Sequence, residues 1–247
     1  MTRILNAKFA LGLFSQPYTD RAYTAQVGSA AHRAVARQTV RESLVLLKND
    51  GVLPLSKTGT YKIVVGGSHV NNLGYQAGGW TISWQGGSGA TTVGTTFWQA
   101  LQAAKPAGVT LQNVGTQTKG NYSGDVGIAV VGETPYAEGK GDSSTLALSG
   151  ANVAQINDIC SRVTRCIIIL MSGRPLIINS QLNQANAFVA AWLPGTEGAG
   201  LTDVLFGDYG FVGKLPVTWP NAVTQEPIND GDGQTGLFPL GYGITPY

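Results

Sequence analysis

Two short stretches carry most of the side chains that could do chemistry. The first is Gly132-Glu133-Thr134-Pro135-Tyr136-Ala137-Glu138-Gly139-Lys140-Gly141-Asp142, three carboxyl groups on a Gly-rich segment that follows an apolar run. A carboxyl group in such a place can donate a proton, cap a chain end or be plainly solvated. Desolvation by aromatic neighbours suits a carboxyl to proton donation near neutral pH. Residue types alone favour solvated charge here. The second stretch, Gly78-Gly79-Trp80-Thr81-Ile82-Ser83-Trp84-Gln85-Gly86, sets two indoles among polar residues. An indole face stacks on the C–H-rich face of a sugar ring while its N–H finds a hydroxyl. Equally, Trp80 and Trp84 could pack inward as anchors of a long loop.

Other chemistries fit poorly. Gly66-Gly67-Ser68 follows an apolar run as a phosphate loop would, but no GxGxxG or GxxxxGK[ST] signature opens there. Gly86-Gly87-Ser88-Gly89-Ala90 lacks the last Gly of a nucleophile elbow and the strand that should precede it. His32 and His69 have no carboxylates at fitting spacing, so no metal site and no cofactor is expected. The net charge is +2 without a Lys/Arg stripe, which argues against a nucleic-acid partner. No apolar stretch of about 18 residues exists to span a membrane as a helix.

The elements that must position these groups read as alternating strands and helices. A helix is expected over 30–48, then strands over 62–66, 109–114, 126–131, 166–171, 187–192 and 214–219. Helices are expected over 95–104, 152–162, 177–184 and 196–206, the last with Thr196 as N-cap. The strands are continuously apolar, which implies an α/β fold: a mostly parallel sheet between helices on both faces. Its functional loops lie beyond the carboxyl ends of the strands. That rule gathers His69, Trp80, Trp84, Glu133, Glu138, Asp142, Arg174 and Glu197 on one edge. With 247 residues, 43% hydrophobic, the chain can bury a substantial core, and 34 glycines promise many turns.

The opening Ile4, Leu5, Lys8, Phe9 and Leu11 have helical spacing, and Gly12 would end that helix. It reads as the last helix of something upstream. Cys160 and Cys166 are either two small buried side chains or a local disulfide. The compartment is not given by the sequence; a disulfide would point to an oxidising one, periplasmic or secreted.

A set of motifs in collinear order then resembles a known family. They are Ser43-Leu44-Val45-Leu46-Leu47-Lys48-Asn49 with Leu53-Pro54-Leu55, Gly67-Ser68-His69 with Asn72-Leu73-Gly74, and Gly78-Gly79-Trp80-Thr81. Ser172-Gly173-Arg174-Pro175, Trp192-Leu193-Pro194-Gly195, Leu205-Phe206-Gly207-Asp208 and Phe238-Pro239-Leu240-Gly241-Tyr242-Gly243 follow. They resemble the C-terminal α/β-sandwich domain of glycoside hydrolase family 3, nearest to its exo-acting β-glucosidases and β-glucan glucohydrolases. The resemblance implies a three-layer sandwich and a retaining mechanism with two carboxylates. The motif position implies that Glu138 is the acid/base and that Trp84, with Trp80 beside it, clamps the sugar. Glu133 is the next candidate acid and a candidate substrate contact. The family's nucleophilic Asp lies on a preceding (β/α)8 barrel, and no Asp of this chain matches it.

The implied organisation is therefore 1–27 as the end of a barrel domain plus linker, 28–222 as the sandwich, and 223–247 as an extension packed on it. The implied partners are a β-glucoside or gluco-oligosaccharide and the barrel domain. A chain of this kind alone should be nearly inert. The competing reading is a non-catalytic carbohydrate-binding or scaffold module.

Overall fold

Apolar residues alternate between two hydrophobic clusters along each central strand, and this places a sheet between two cores. The computed structural model describes residues 1–245. Two compact units divide the chain at Val35/Ala36. In the first, helix α1 (Thr2–Ala10) is followed by a 3-10 turn over Thr24–Gln26, and the Phe9 and Phe14 rings lie 4.5 Å apart. Helix α2 (Ala30–Ser43) runs across the division.

The second unit contains strands β1 (Val45–Asn49) and β2 (Tyr61–Gly66), helices α3 (Leu73–Ala77) and α4 (Phe97–Ala104), and strands β3 (Val109–Gly115) and β4 (Gly124–Gly132). Helix α5 (Gly150–Cys160), strand β5 (Val163–Met171), helix α6 (Asn179–Gln184), strand β6 (Ala187–Ala190) and helix α7 (Ala199–Leu205) follow. One six-stranded sheet has the order β1-β6-β5-β4-β2-β3. All neighbours are parallel except β1, which pairs antiparallel with β6.

Ile63, Val65, Ile128, Val130, Ile167 and Ile169 face one core with Phe97 and Leu101 of α4 and Leu201, Val204 and Leu205 of α7. Val64, Ala129, Val131, Ile168 and Leu170 face the other with Ile156 and Ile159 of α5. This is the period-2 signature of strands covered on both faces. The architecture is the expected three-layer α/β sandwich. Arg37 and Arg41 of α2 both donate to the buried carboxylate of Asp203 on α7, and Arg37 does so through two nitrogens. The Cys160–Cys166 disulfide joins the end of α5 to β5.

Several expectations are corrected. The helix expected over 30–48 stops at Ser43, and Val45–Asn49 is a strand. Leu44 and Leu46 enter one core while Val45 and Leu47 enter the other, so pairing with β6 overrides leucine's helix preference. Segment 214–219 forms no strand. Pro216 and Pro220 remove donors there, and Leu215 and Trp219 instead bond to Tyr242, Gly241, Leu237 and Phe238 of the tail. The last helix starts at Ala199 with Gly198 as N-cap, so Thr196 does not cap it. The long Gly-rich stretch after β2 contains helix α3, whose N-cap Asn72 accepts from Tyr75 N–H.

Candidate active site

The carboxyl ends of β2, β4, β5 and β6 share one edge of the sheet. The chain leaves β2 towards β3 and leaves β4 towards β5 on the opposite side, so the connections diverge between β2 and β4. Ligand crevices of open α/β sheets form at such a divergence. The acid loop leaves β4 there, and the Trp loop lies in the connection that follows β2.

The base of the acid loop is locked. Arg174 donates from Nε and Nη2 to Glu133 Oε1, at 3.1 and 2.6 Å. Tyr136 Oη donates to Glu133 Oε2 at 3.0 Å, and the Arg174 guanidinium sits 4.9 Å above the Tyr136 ring. Burial and then the Glu133 carboxylate push the Tyr136 pKa up to about 12, so the phenol keeps its proton and remains a donor. Below it, buried His69 donates from Nε2 to the Glu133 carbonyl at 3.0 Å, and Ser68 Oγ lies 2.9 Å from Nδ1. Burial pulls the His69 pKa down to about 4 against the opposing pull of that carbonyl, so the ring is neutral at neutral pH. Beside these groups a cavity of about 450 Å³ is lined by Ser68, His69, Tyr136, Asp142, Asn152 and Arg174.

The tip of the loop is different. Glu138 opens a 3-10 turn over Glu138–Gly141, with its side chain exposed and φ at 52°. Among the described residues its carboxylate makes no hydrogen bond or ion pair. A non-glycine residue in the left-handed region is uncommon and recurs at functional sites. The Trp loop shares this trait: Trp80 and Ile82 have φ of 60° and 66°. Trp80 and Trp84 are both exposed, with ring centroids 6.5 Å apart and the backbone N–H of Trp80 donating to the backbone carbonyl of Trp84. Of the two sequence-based alternatives for these indoles, inward packing is excluded.

The structure brings the two stretches together. Gly79 lies against the acid loop so closely that a Cβ there would stand 2.0 Å from the Tyr136 carbonyl oxygen. Gln85 Nε2 donates to the Ala137 carbonyl at 3.2 Å, and the Ala137 N–H donates to Gln85 Oε1 at 3.0 Å. Asn72 pins the far end of the Trp loop, accepting from Gly89 N–H and donating to Ser88 Oγ. Sequence reading gave no role to Gln85, and none to Asn72 beyond its place in the Asn72-Leu73-Gly74 motif. Their signal is an amide side chain inside a Gly-rich loop, where backbone groups lack regular partners.

Asp142 lines the cavity, whereas Glu197 is buried and does not line it, its backbone forming a bridge with Thr95. Among the described residues, no group of three or more His, Cys, Asp or Glu is placed to hold a metal ion, and no helix is long and apolar enough to cross a membrane.

A model of the glycosyl hydrolase family 3 C-terminal domain matches residues 44–246. A lysosomal β-glucosidase of Dictyostelium discoideum is 29% identical over 98% of this chain and 33% of its own length. A mutant exo-1,3/1,4-β-glucanase of a Pseudoalteromonas species superposes with a TM-score of 0.80, at 36% identity over 91% of this chain and 38% of that one. A β-glucosidase of Listeria innocua in complex with glucose gives 0.82, at 26% identity over 99% of this chain and 38% of that one. The chain thus spans between a third and two-fifths of the length of these proteins. It belongs to glycosyl hydrolase family 3, with the fold of that family's C-terminal domain.

Proposed function

We propose that this chain supplies the proton-donating side of a retaining β-glucosidase-type active site. Glu138 is the acid/base for hydrolysis of terminal β-glucosyl residues, and Trp84 and Trp80 line the sugar entrance. The nucleophilic carboxylate comes from the family's barrel domain. A retaining pair of carboxyls must stand about 5–5.5 Å apart, so the chain without that partner is nearly inert.

One observation carries this reading. Of the two glutamates on the acid loop, Glu133 is held by Arg174 and Tyr136, while Glu138 is exposed and unengaged beside the Trp loop. Glu133 is then a brace and not a proton donor. The pairing with glucosides draws on the relatives, whose names are those of β-glucosidases and a β-glucanase.

The test combines the chain with a barrel half that carries the nucleophile. Glu138→Ala is expected to lower turnover of alkyl glucosides, which have poor leaving groups, by about 10²–10⁴-fold. Nitrophenyl glucosides should suffer far less, because their leaving groups need no proton. Equal, small losses on both substrates would remove Glu138 from the role.

The exposed indole pair also supports a second reading, a non-catalytic glucan-binding module. It predicts that the chain alone binds gluco-oligosaccharides through Trp84 and gains no activity with any barrel.

A further inference from the structure

The acid loop carries its reactive group at a point where it has little support of its own. Among the described residues, the backbone of residues 134–137 makes hydrogen bonds to a single side chain, that of Gln85. The amide satisfies both the N–H and the C=O of Ala137, the residue directly before Glu138. Such a two-point contact constrains both peptide planes that flank the Ala137 Cα, because donor and acceptor must both align. Gln85 is also the residue directly after Trp84. On the other side, Gly79 supports the Tyr136 carbonyl by close contact alone.

We infer that Gln85 is the positioning residue that sets Glu138 relative to the sugar platform formed by Trp84, by holding the peptide units before and after the Ala137 Cα. The inference rests on the reading of Glu138 as acid/base. Glu138 sits in a left-handed backbone conformation with an exposed side chain, so its own packing does not hold it there. A conformation of this kind persists only when its surroundings impose it. The Glu133–Arg174–Tyr136 brace fixes the base of the loop but bonds to no backbone group between 134 and 137. The two bonds from Gln85 are therefore the side-chain constraint on the backbone directly before the proton donor, while the 3-10 turn closed by Asp142 N–H on the Gly139 carbonyl holds the residues after it. A misplacement of about 1 Å in a reacting group can cost about 10²-fold in rate. Loss of this constraint should tell on proton transfer and leave the binding face of Trp84 in place.

The experiment compares wild type, Gln85→Met and Glu138→Ala, each combined with the nucleophile-bearing barrel half. Met keeps the length and volume of Gln and makes neither bond. Gln85→Met is expected to lower kcat for alkyl glucosides about tenfold and for nitrophenyl glucosides less than about threefold, with KM little changed. Backbone amide exchange at Ala137 should accelerate in the variant. Should Gln85→Met fail to fold, Gln85→Glu takes its place. It retains an acceptor for the Ala137 N–H and should show the same leaving-group pattern with a smaller loss. If Glu138→Ala shows the leaving-group dependence but the Gln85 variant loses equally on both substrates, Gln85 is merely structural and the inference falls alone. If Glu138→Ala shows no such dependence, the reading of Glu138 falls and takes this inference with it.

Discussion

Glu133 and Glu138 stand five positions apart on one loop and meet opposite environments. At the base, every strong polar group is engaged: the Glu133 carboxylate by Arg174 and Tyr136, its carbonyl by His69. At the tip, the Glu138 carboxylate is unengaged, its backbone lies in the left-handed region, and the side-chain hydrogen bonds next to it are those of Gln85 to Ala137, one residue away. A group that must exchange protons with a substrate cannot be saturated by internal partners. The scaffold under it must be, because the tip carries strain that the base has to hold. Two carboxylates of the same type on the same loop are thereby sorted into an engaged one and a free one, the free one being the proposed proton donor.

The contrast can be broken most strongly through pH. His69 holds the carbonyl of Glu133, and burial lowers its pKa from 6.5 to about 4. Between those two values the unfolded chain binds a proton at this position and the folded chain does not. Stability is then fully present above pH 6.5 and is lost as pH falls towards 4, by on the order of 3 kcal/mol. Asp158 and Asp203 also have lowered pKa values, but from 3.8, so their contributions are lost at still lower pH. Urea unfolding at a series of pH values should show the slope for wild type and a flatter one for His69→Gln, whose amide can still donate to the Glu133 carbonyl. The same slope in both proteins would detach His69 from the base of the loop.

A smaller effect comes from the ion pair itself. Glu133→Ala leaves the Arg174 guanidinium and the Tyr136 hydroxyl without their partner in a half-buried place, at a cost of about 1–2 kcal/mol after allowance for solvent. Thermal unfolding should shift down by about 3–6 °C. Glu138→Ala removes an exposed side chain with no partner and should stay within about 0.5 kcal/mol of wild type. Equal losses in the two variants would show that the base is no better braced than the tip.

The sheet was legible in the sequence where local chemistry and tertiary demand agree. The runs at 62–66, 126–131 and 166–171 are short, apolar and bounded by Gly, Ser or polar residues, and each is a central parallel strand. β1 was hidden because Leu44–Leu47 continues the helical pattern of α2, and only pairing with the distant β6 makes it extended. The site was legible in the same uneven way. Glu138 and the two tryptophans stand out by type and motif position. The engagement of Glu133 depends on Arg174, which lies 41 positions away, and that of Ala137 on Gln85, 52 positions away. No local pattern encodes either. Local reading finds the candidates, while the supports that distinguish one glutamate from another are non-local.

The finest test bears on the strain that the tip and the Trp loop share. Ile82 is 79% exposed with φ at 66°, a conformation that costs an L-residue about 1–2 kcal/mol, and the more so when the side chain is β-branched. Glycine has no such penalty but loses about 0.5–1 kcal/mol more backbone entropy on folding. The two terms nearly cancel, and Ile82→Gly should stabilise by at most about 1 kcal/mol, a rise of roughly 2–4 °C in Tm at the upper limit. Ile82→Ala keeps the unfavourable φ and should bring no gain, which separates relief of strain from loss of an apolar side chain. If Ile82→Gly lowers Tm instead, the Ile82 side chain supports the loop despite its exposure. The Trp loop would then be held by its own apolar contacts, and the division into a braced base and a strained, externally held rim would have to be redrawn with Ile82 on the side of the braces.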